Sequence, residues 1–309
     1  MKHLPLQNPR YIALLKEFSL HVKRLGYNKY SQQSLPSSVR EFFYRLEQQD
    51  IHSLDGMTPE LISRHYEYLS RRPNQTRPGN LSQSMLQSHV WALKTFFNYQ
   101  EAEGNVKENP FSVLHFPAPK HARREVLTRE EIRKLYRACE TPRDRAMLGL
   151  FYGCGLRKSE AEKLNLKDIS FRSRLLYVRS GKGKKRRVVP VTGKVIEDLQ
   201  NYYYQERVHI RKKEDPDSRK SFMLNRWGER MHGQSYWRRL QYLVQKAGIH
   251  KSGRNPSDLR RISPHSLRHS IATHLLDRGL SVEQVRDFLG HSHLESTQVY
   301  TRVNRDHLI

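Results

Sequence analysis

A break in the helical pattern divides this chain of 309 residues into two parts. Apolar residues recur at helical spacing as far as residue 103, and the pattern is absent from residues 109–124, which read NPFSVLHFPAPKHARR. Prolines combined with a basic end are typical of a linker between domains. We therefore predict a helical domain over residues 1–110, a basic linker over residues 111–124 and a second domain over residues 125–309.

Four amphipathic patterns fill the first part of the chain. They predict helices over residues 9–25, 37–49 and 82–103, and one that begins with Thr58 as its cap and Pro59 as its first residue. The aromatic residues of these patterns, such as Phe42 and Phe96, fall at the spacing of a helical core. We interpret them as packing residues rather than as a surface on which nucleic-acid bases stack.

The charge of the chain indicates a polyanionic partner. The 56 lysine and arginine residues outnumber the 31 aspartate and glutamate residues, for a formal net charge of +25. No apolar run approaches the roughly 18 residues of a membrane-spanning helix, and the N-terminus lacks a signal-peptide pattern. The two cysteines, Cys139 and Cys154, have no metal-type spacing, which is typical of reduced thiols inside the cell. We expect a cytoplasmic protein that binds nucleic acid and not a membrane.

Candidate nucleic-acid contacts are short polar or basic side chains that lie outside the apolar stripes, because such side chains suit phosphate contacts. The fourth helix, the basic loop 71–79, the basic turn 180–186 and a helix predicted over residues 234–247 supply them. In the last of these helices we expect Trp237 to face the core. The candidates are Gln83, Ser84, Gln87, Ser88, Lys94, Arg77, Lys184, Arg238 and Arg239.

A glycine-rich segment places one arginine at the start of a helix. Residues 153–160 read GCGLRKSE, and the glycines interrupt the helical pattern just before Arg157. An arginine at such a junction can face a phosphate together with the first amides of the next helix. Glu160, one turn later, can orient the Arg157 guanidinium. An ordinary surface arginine is the alternative interpretation.

A β-hairpin is predicted between residues 175 and 191. Apolar and β-branched runs at 175–179 and 187–191 flank the turn SGKGKKR, which holds two glycines and four basic residues. The glycines give this turn freedom to move, and Lys182 between them is the lysine best placed to enter a DNA groove. A solvated basic turn is the alternative.

The helix predicted after Pro264 presents two side chains that suit a phosphate. His265 and Arg268 are three residues apart and share one face. A zinc site is the alternative, because His265 and His269 are four residues apart. We favour the phosphate, since Arg268 would place a cation beside the metal and no Asp, Glu or Cys supplies an evident third ligand.

A second helix is predicted from a capping box of Ser281 and Gln284 to Gly290. His291 follows this helix end directly, and Tyr300 comes nine residues later (300 − 291). Two histidines, an arginine and a tyrosine together suit a site for a phosphate and an oxygen nucleophile.

In this order the motifs resemble those of the tyrosine recombinase (phage integrase) family, including its Xer members. The matching stretches are GCGLRKSE, GKGKKRRVVPV, PHSLRHSIATHLL and LGHSHLESTQVYTRV. The first part, which ends in KTFFNY and ENP, resembles the core-binding domain of that family. The resemblance implies a mainly α fold with a small β-sheet, in which a four-helix SAM-like domain precedes an α+β catalytic domain.

The resemblance also implies catalytic residues, which are Arg157, Lys182, His265, Arg268, His291 and Tyr300. Tyr300 would attack a DNA phosphodiester and form a 3′-phosphotyrosyl link. The two arginines and His291 would hold the nonbridging oxygens. Lys182 would protonate the leaving oxygen, and His265 would assist proton removal from Tyr300 or orient the phosphate. No metal or nucleotide cofactor is needed, because the phosphotyrosine conserves the bond energy for rejoining.

The implied partners are double-stranded DNA and further copies of the chain, as a dimer on each site and a tetramer that exchanges strands through a Holliday junction. A type IB topoisomerase shares the chemistry, but the helical first domain favours the recombinase. A catalytically silent DNA-binding protein on the same fold is disfavoured by the complete set of catalytic residue types, and no RNA-binding module is recognisable. The nine residues after Tyr300 (309 − 300) are short for a family that often docks a C-terminal helix on a neighbouring protomer. The sequence leaves open whether the enzyme integrates, inverts or resolves DNA.

Overall fold

The structure, a computed structural model, describes residues 4–75, 78–117, 126–179, 186–212, 214–249 and 262–290. The chain divides into two compact units, Met1–Ala122 and Arg123–Ile309. Within the described ranges, every helix is too short or too polar to cross a membrane.

The described residues of the first unit form four helices, α1 (Pro9–Arg24), α2 (Lys29–Glu47), α3 (Pro59–Arg71) and α4 (Gln83–Ala102). Polar side chains cap α1, α2 and α4, because the first backbone amides of a helix have no partner within it. The Asn8 side chain accepts the amide of Arg10 at 2.9 Å, and the Ser82 hydroxyl accepts the amide of Met85 at 3.4 Å. The predicted ends of α1 and α4 therefore agree with the structure to within one residue.

Helix α2 differs from its prediction, because it begins eight residues before the expected start at residue 37 (37 − 29). Pro36 lies inside the helix, where a proline normally costs a backbone hydrogen bond. The polar run before Pro36 hides the apolar stripe from a search for periodicity. Burial of Leu35 and Val39 on either side of the proline stabilises the continuous helix.

An aromatic core holds the four helices together. The rings of Tyr11 and Phe43 stack with centroids 4.4 Å apart, and those of Phe18 and Phe96 meet edge to face at 5.3 Å. Phe43 and Phe96 are fully buried. The interpretation of this aromatic pattern as core packing is confirmed.

The first residues of the predicted linker pack onto the same core. Phe111 is buried there and Phe116 is partly buried. Asn109 fixes the turn that precedes them, because its side chain accepts the Phe111 amide at 3.0 Å and donates to Asn98 at 2.7 Å. The composition of this segment is typical of a linker, but its aromatic side chains bury apolar surface as soon as a core lies beside them.

The described residues of the second unit form nine α-helices and a three-stranded antiparallel sheet. The helices are α5 (Arg129–Ala138), α6 (Pro142–Leu148), α7 (Lys158–Glu162), α8 (Gly193–Asn201), α9 (Val208–Ile210), α10 (Pro216–Lys220), α11 (Gly233–Lys246), α12 (Pro264–Leu276) and α13 (Val282–Leu289). The strands are β1 (Ile169–Ser170), β2 (Leu175–Val178) and β3 (Arg187–Pro190), in the order β1-β2-β3. The predicted β2–β3 hairpin is confirmed, with Leu176 opposite Val189. Strand β1 was not predicted, because two residues are too short to show alternation.

One buried arginine organises the segment 202–219, for which the sequence predicts little. Arg207 is 1% exposed and donates to the backbone carbonyls of Ser218 at 2.8 Å and Ser221 at 2.7 Å. These carbonyl oxygens replace the water that a guanidinium loses on burial. The contact holds the chain on the way to Phe222, which is fully buried in the core of the second unit.

Helix α12 begins where the sequence predicts, and α13 begins and ends where it predicts. The Ser263 hydroxyl caps α12 and accepts the Ser266 amide at 3.2 Å. Ser281 and Gln284 form the predicted capping box of α13. Gly290 ends α13 in the left-handed conformation, with φ of 65°.

Candidate active site

Arg157 is held at the start of α7 by Glu160. The Glu160 carboxylate accepts the backbone amide of Arg157 at 2.9 Å and its Nη1 at 2.8 Å. The contact with Nη1 agrees with the prediction that Glu160, one turn later, orients the Arg157 guanidinium. The Arg157 side chain keeps 19% of its surface exposed. Part of it therefore remains accessible to an anion.

Arg268 reaches the same carboxylate from α12. Its Nη1 donates to the backbone oxygen of Gly155, and its Nη2 donates to that of Leu289 at 2.6 Å. The Arg268 Nη1 also lies 3.9 Å from Glu160 Oε2. The fold thus brings Arg157 and Arg268 around Glu160, although 111 residues separate the two arginines (268 − 157).

A third arginine, Arg187, completes the cluster and was not predicted. It is the first residue of β3, and its Nη1 and Nη2 donate to the two oxygens of Glu160 at 3.0 and 2.9 Å. Such a two-point pair is the strongest form of arginine–carboxylate contact. The signal that reveals it is strand alternation, because Val189, two residues later, is fully buried and shares the face of Arg187.

Glu160 is the counterion of this arginine cluster, which consists of Arg157, Arg187 and Arg268. Burial of the carboxyl group opposes its ionisation, but the hydrogen bonds and charge of Arg187, joined by those of Arg157, outweigh burial and lower the pKa of Glu160 to about 2. One carboxylate among three guanidiniums leaves a formal charge of +2 (3 − 1). An excess of fixed positive charge suits the oxygens of a phosphodiester under attack.

Three consecutive backbone carbonyls at the end of α13 accept one arginine each. The pairs are Arg187 Nε with Phe288 (3.2 Å), Arg268 Nη2 with Leu289 (2.6 Å) and Arg157 Nη2 with Gly290 (3.0 Å). The last carbonyls of a helix have no partner within it and carry the negative end of its dipole. The arginine cluster therefore fixes the helix end that directly precedes His291 in the sequence.

Gly155 allows the end of α13 to approach this closely. Its φ is +59°, and a Cβ at this position would lie 2.9 Å from Leu289 Cδ2 and 3.1 Å from Phe288 Cε1. Any other residue would meet both a strained backbone and a steric overlap. Gly155, two residues before Arg157 in the GCGLRKSE motif, is thus a requirement of packing at the site.

His265 is the second residue of α12 and is exposed, one turn before the buried Arg268. On the same helix the Ser270 hydroxyl accepts the backbone amide of Leu127 at 2.8 Å. This contact ties α12 to the chain that enters the second unit. Among the described residues, no group of three His, Cys, Asp or Glu side chains could hold a metal ion.

Of the six predicted catalytic residues, the described part of the chain contains Arg157, His265 and Arg268. The other three, Lys182, His291 and Tyr300, lie outside the described residues. Two of the predicted DNA contacts, Arg77 and Lys184, lie outside them as well. Glu160 contacts both predicted arginines, Arg157 and Arg268. His265 lies on the same helix as Arg268, three residues earlier.

The five predicted DNA contacts on α4 are all at least partly accessible to solvent: Ser84, Ser88 and Lys94 are exposed, and Gln83 and Gln87 are partly buried. Both glutamines donate to the backbone oxygen of Pro117, at 2.9 and 2.5 Å. The segment that follows the first core therefore covers part of this helix face.

The two predicted contacts on α11 have different surroundings. Arg238 is exposed. Arg239 departs from its prediction, because its Nη2 donates to Asp144 at 2.6 Å and to Glu140 at 2.8 Å. The Asp144 side chain is fully buried and needs a counterion. The Arg239 guanidinium is thereby occupied within the protein.

Comparison with known proteins agrees with these arrangements. A sequence profile of the phage integrase family matches residues 125–307, which include the arginine cluster and the end of α13. The chain belongs to the phage integrase family, the tyrosine recombinases. As a tyrosine recombinase, it is a site-specific enzyme that cleaves and rejoins DNA.

Relatives of this recombinase match most of its length. It is 35% identical over 233 residues to the tyrosine recombinase XerC of Oceanobacillus iheyensis. The aligned region covers 74% of this chain and 73% of the relative. It is 31% identical over 297 residues to a tyrosine recombinase of Pseudothermotoga lettingae, and the aligned region covers 95% of this chain and 94% of the relative. The integrase of the Tn1549 transposon, solved in complex with transposon right end DNA, superimposes with a TM-score of 0.72 at 18% identity over 96% of this chain and 99% of the integrase. The predicted mainly helical fold with a small sheet is confirmed.

Proposed function

We propose that this recombinase cuts double-stranded DNA through Tyr300 and conserves the cut bond as a 3′-phosphotyrosyl link. The Tyr300 oxygen attacks phosphorus, the bond to the 5′ oxygen breaks, and the 5′ oxygen leaves with a proton. The reverse reaction with a 5′-hydroxyl of another strand rejoins the DNA. The observation that supports this proposal most is the cluster of Arg157 and Arg268 around Glu160, next to the helix end before His291.

The arginine cluster stabilises the charge that develops on the phosphodiester. Arg157, which is partly exposed, and Arg268 bind the nonbridging oxygens with planar guanidiniums that stay charged at any physiological pH. His291 adds a further hydrogen-bond donor. Because the Glu160 contacts fix the guanidiniums before DNA arrives, little reorganisation is needed as charge develops.

Two further residues move protons. Lys182 acts as the general acid that protonates the leaving 5′ oxygen. His265, exposed on the first turn of α12, assists removal of the Tyr300 proton or orients the phosphate. The reaction requires no metal or nucleotide, since the phosphotyrosyl link holds the energy for rejoining.

The DNA interface extends beyond the cleaved phosphate. We assign phosphate contacts to the exposed side chains of Ser84, Ser88, Lys94 and Arg238. To these we add Arg77 and Lys184, which lie outside the described residues, because of their charge. Gln83 and Gln87 join them when DNA replaces the Pro117 carbonyl as acceptor. Two copies of the chain bind each site, and two sites form a tetramer that exchanges strands through a Holliday junction. Integration or excision of an element and Xer-type resolution are the two roles that this reaction serves.

Covalent trapping tests the nucleophile. A nicked duplex that loses a short 5′-hydroxyl fragment after cleavage traps the phosphotyrosyl enzyme, which a denaturing gel separates from free DNA. We expect an adduct with the unmodified enzyme and none with Tyr300→Phe. Tyr204→Phe is the matched control, since Tyr204 is a tyrosine of the same unit with 60% exposure. An adduct that persists in Tyr300→Phe would mean that another residue attacks.

A further inference from the structure

We propose that residues 114–117 form a strap that competes with DNA for one face of α4. The inference rests on the proposed contact between α4 and DNA. The strap reads LHFP and follows Phe111, which is buried in the core of the first unit. It covers the face that carries Gln83 and Gln87, and DNA binds these two side chains only after the strap has left them.

Hydrogen bonds fasten the end of the strap to α4. The Nε2 atoms of Gln83 and Gln87 donate to one acceptor, the carbonyl oxygen of Pro117, at 2.9 and 2.5 Å. The Nε2 of Gln83 also donates to the Tyr66 hydroxyl at 3.0 Å. A side-chain amide has two N–H bonds, so both donors of Gln83 are used within the first unit. The strap therefore occupies groups that would otherwise bind phosphate oxygens or base edges.

An aromatic contact holds the middle of the strap. The centroid of the Phe116 ring lies 4.8 Å from that of Tyr66 and 6.1 Å from that of Phe111. Phe116 is only partly buried, and a groove of about 320 Å³, lined in part by Trp91 and Lys94, remains between the strap and α4. A segment that buries little apolar surface opens at a lower free energy than the core does. The strap can therefore open while the four helices stay folded.

Charge decides which acceptor the glutamines bind when DNA is near. The Pro117 carbonyl is neutral, whereas a phosphate oxygen carries negative charge, and hydrogen bonds to charged groups are about twice as strong. Ser84, Ser88 and Lys94 on the same helix are exposed, so DNA can bind them while the strap is still in place. These first contacts bring phosphates beside the strap, and exchange of the acceptor releases it. The strap thus lowers the affinity for DNA without abolishing it.

Phe116→Ala tests the strap, because it removes the aromatic anchor and leaves every side chain assigned to DNA in place. The probe is a fluorescent duplex of arbitrary sequence at low salt, since phosphate contacts do not depend on sequence. The apparent affinity is proportional to the fraction of molecules with an open strap, so we expect it to rise by about tenfold. Val113→Ala, at a position with 70% exposure in the same segment, should change affinity by less than about twofold. Unchanged or weaker affinity in a folded Phe116→Ala would overturn the proposal.

A crosslink tests the same point in the opposite direction. Tyr66→Cys and Phe116→Cys are combined with Cys139→Ser, and a short bismaleimide joins the two new thiols. Cys154 is fully buried, and burial raises the pKa of its thiol to about 12, so it does not react. We expect the crosslinked protein to bind the duplex at least about tenfold more weakly than the same variant capped with N-ethylmaleimide, since a hydrogen bond to a charged group contributes about tenfold or more. Equal affinities of the two forms would contradict the strap.

Lys94→Gln separates this proposal from the proposed DNA contact of α4. If Lys94→Gln weakens binding while Phe116→Ala and the crosslink have no effect, α4 binds DNA and only the strap proposal fails. If Lys94→Gln changes neither the affinity nor its dependence on salt, the proposed contact of α4 with DNA fails, and the strap proposal fails with it. Circular dichroism and thermal melting establish that the variants are folded. If Phe116→Ala is not folded, Phe116→Leu takes its place with the same expected rise in affinity, and a folded Phe116→Leu that binds like the parent would overturn the proposal.

Discussion

The Arg157 guanidinium donates a hydrogen bond of 3.0 Å to the carbonyl oxygen of Gly290, a residue that lies 133 positions later in the chain. This contact connects the start of α7 with the end of α13, and neighbouring contacts from Arg187 and Arg268 hold the two preceding carbonyls. The three arginines thus come from separate segments of the chain, the start of α7, β3 and α12, and meet at one helix end. Each arginine orients a different part of the site, and all share the charge of Glu160.

Removal of the Glu160 charge should destabilise the second unit. In Glu160→Gln the buried arginines lose their counterion, and we expect a loss of about 3 kcal/mol in the free energy of unfolding at pH 7. The folded pKa of about 2 lies below the ordinary value of 4.5, so this stabilisation is present above pH 4.5 and is lost as the pH falls towards 2. Urea unfolding at pH 7 and pH 3 should therefore show a smaller gap between variant and parent at the lower pH.

The control for Glu160→Gln is Glu130→Gln on α5. Glu130 contacts Arg133 and Arg137 at the surface, where half of its side chain is exposed. Exposed ion pairs contribute about 0–1 kcal/mol, so this variant should unfold almost as the parent does. An equal loss in both variants would contradict the role of Glu160 as a buried counterion.

Gly155→Ala should cost more stability than backbone strain alone explains, and it should also impair cleavage. At Gly26 the φ is +72° and an added Cβ would meet no atom within 4 Å, so Gly26→Ala measures the cost of the conformation alone, about 1–2 kcal/mol. At Gly155 the cost of the conformation is joined by a steric clash, because an added Cβ would lie 2.9 Å from Leu289 Cδ2. We expect a larger loss of stability and a marked loss of cleavage only in Gly155→Ala. Equal stability losses and full activity in both would show that the close approach does not matter.

Neighbouring arginines on α11 should separate stability from DNA binding. Arg239→Gln leaves the buried carboxylate of Asp144 without its ion pair, for an expected loss of about 3–5 kcal/mol in unfolding free energy. Arg238→Gln, at an exposed position, should leave stability within about 0.5 kcal/mol and weaken DNA binding. Chemical denaturation and titration with duplex DNA measure the two effects. The reverse pattern would place Arg239 at the DNA.

The dependence of DNA binding on salt should report individual phosphate contacts. If each protomer contacts 6–10 phosphates, affinity should fall by about 10³–10⁵ between roughly 50 and 200 mM salt. Lys94→Gln, at an exposed position on α4, should reduce the slope of log affinity against log salt by about 1. Lys16→Gln on α1 removes the same charge from a helix to which we assign no DNA contact. Equal slopes for both variants would indicate that Lys94 does not contact a phosphate.

Much of the fold is predictable, because apolar periodicity and capping residues are local signals. The ends of α4 and the capping box of α13 follow from such signals. Trp237 shows the limit of periodicity, since it was expected in the core and is 40% exposed, while the adjacent Tyr236 is fully buried. On α11 only one of these two neighbouring aromatic residues faces inward, and the pattern alone does not select between them.

The candidate site is predictable residue by residue only where a motif identifies the residue. Arg157, His265 and Arg268 stand in motifs, and Glu160 follows from its spacing to Arg157. The pairing of Glu160 with Arg187 spans 27 residues and depends on how β3 packs against α7. No local pattern encodes such a contact, although strand alternation gives the direction of the side chain. For Arg239, similarly, a basic residue on a helix does not reveal a buried Asp144 that lies 95 residues earlier.

The contacts at the end of α13 also have a consequence for the synthesis of this enzyme. The arginines that contact Phe288, Leu289 and Gly290 are Arg187, Arg268 and Arg157. During synthesis, a chain that has emerged only as far as α11 carries two of the three arginines but neither the third nor the helix end that orders them. A nascent or truncated recombinase therefore lacks a complete arginine cluster. The cluster forms only when α12 and α13 have packed against α7 and β3.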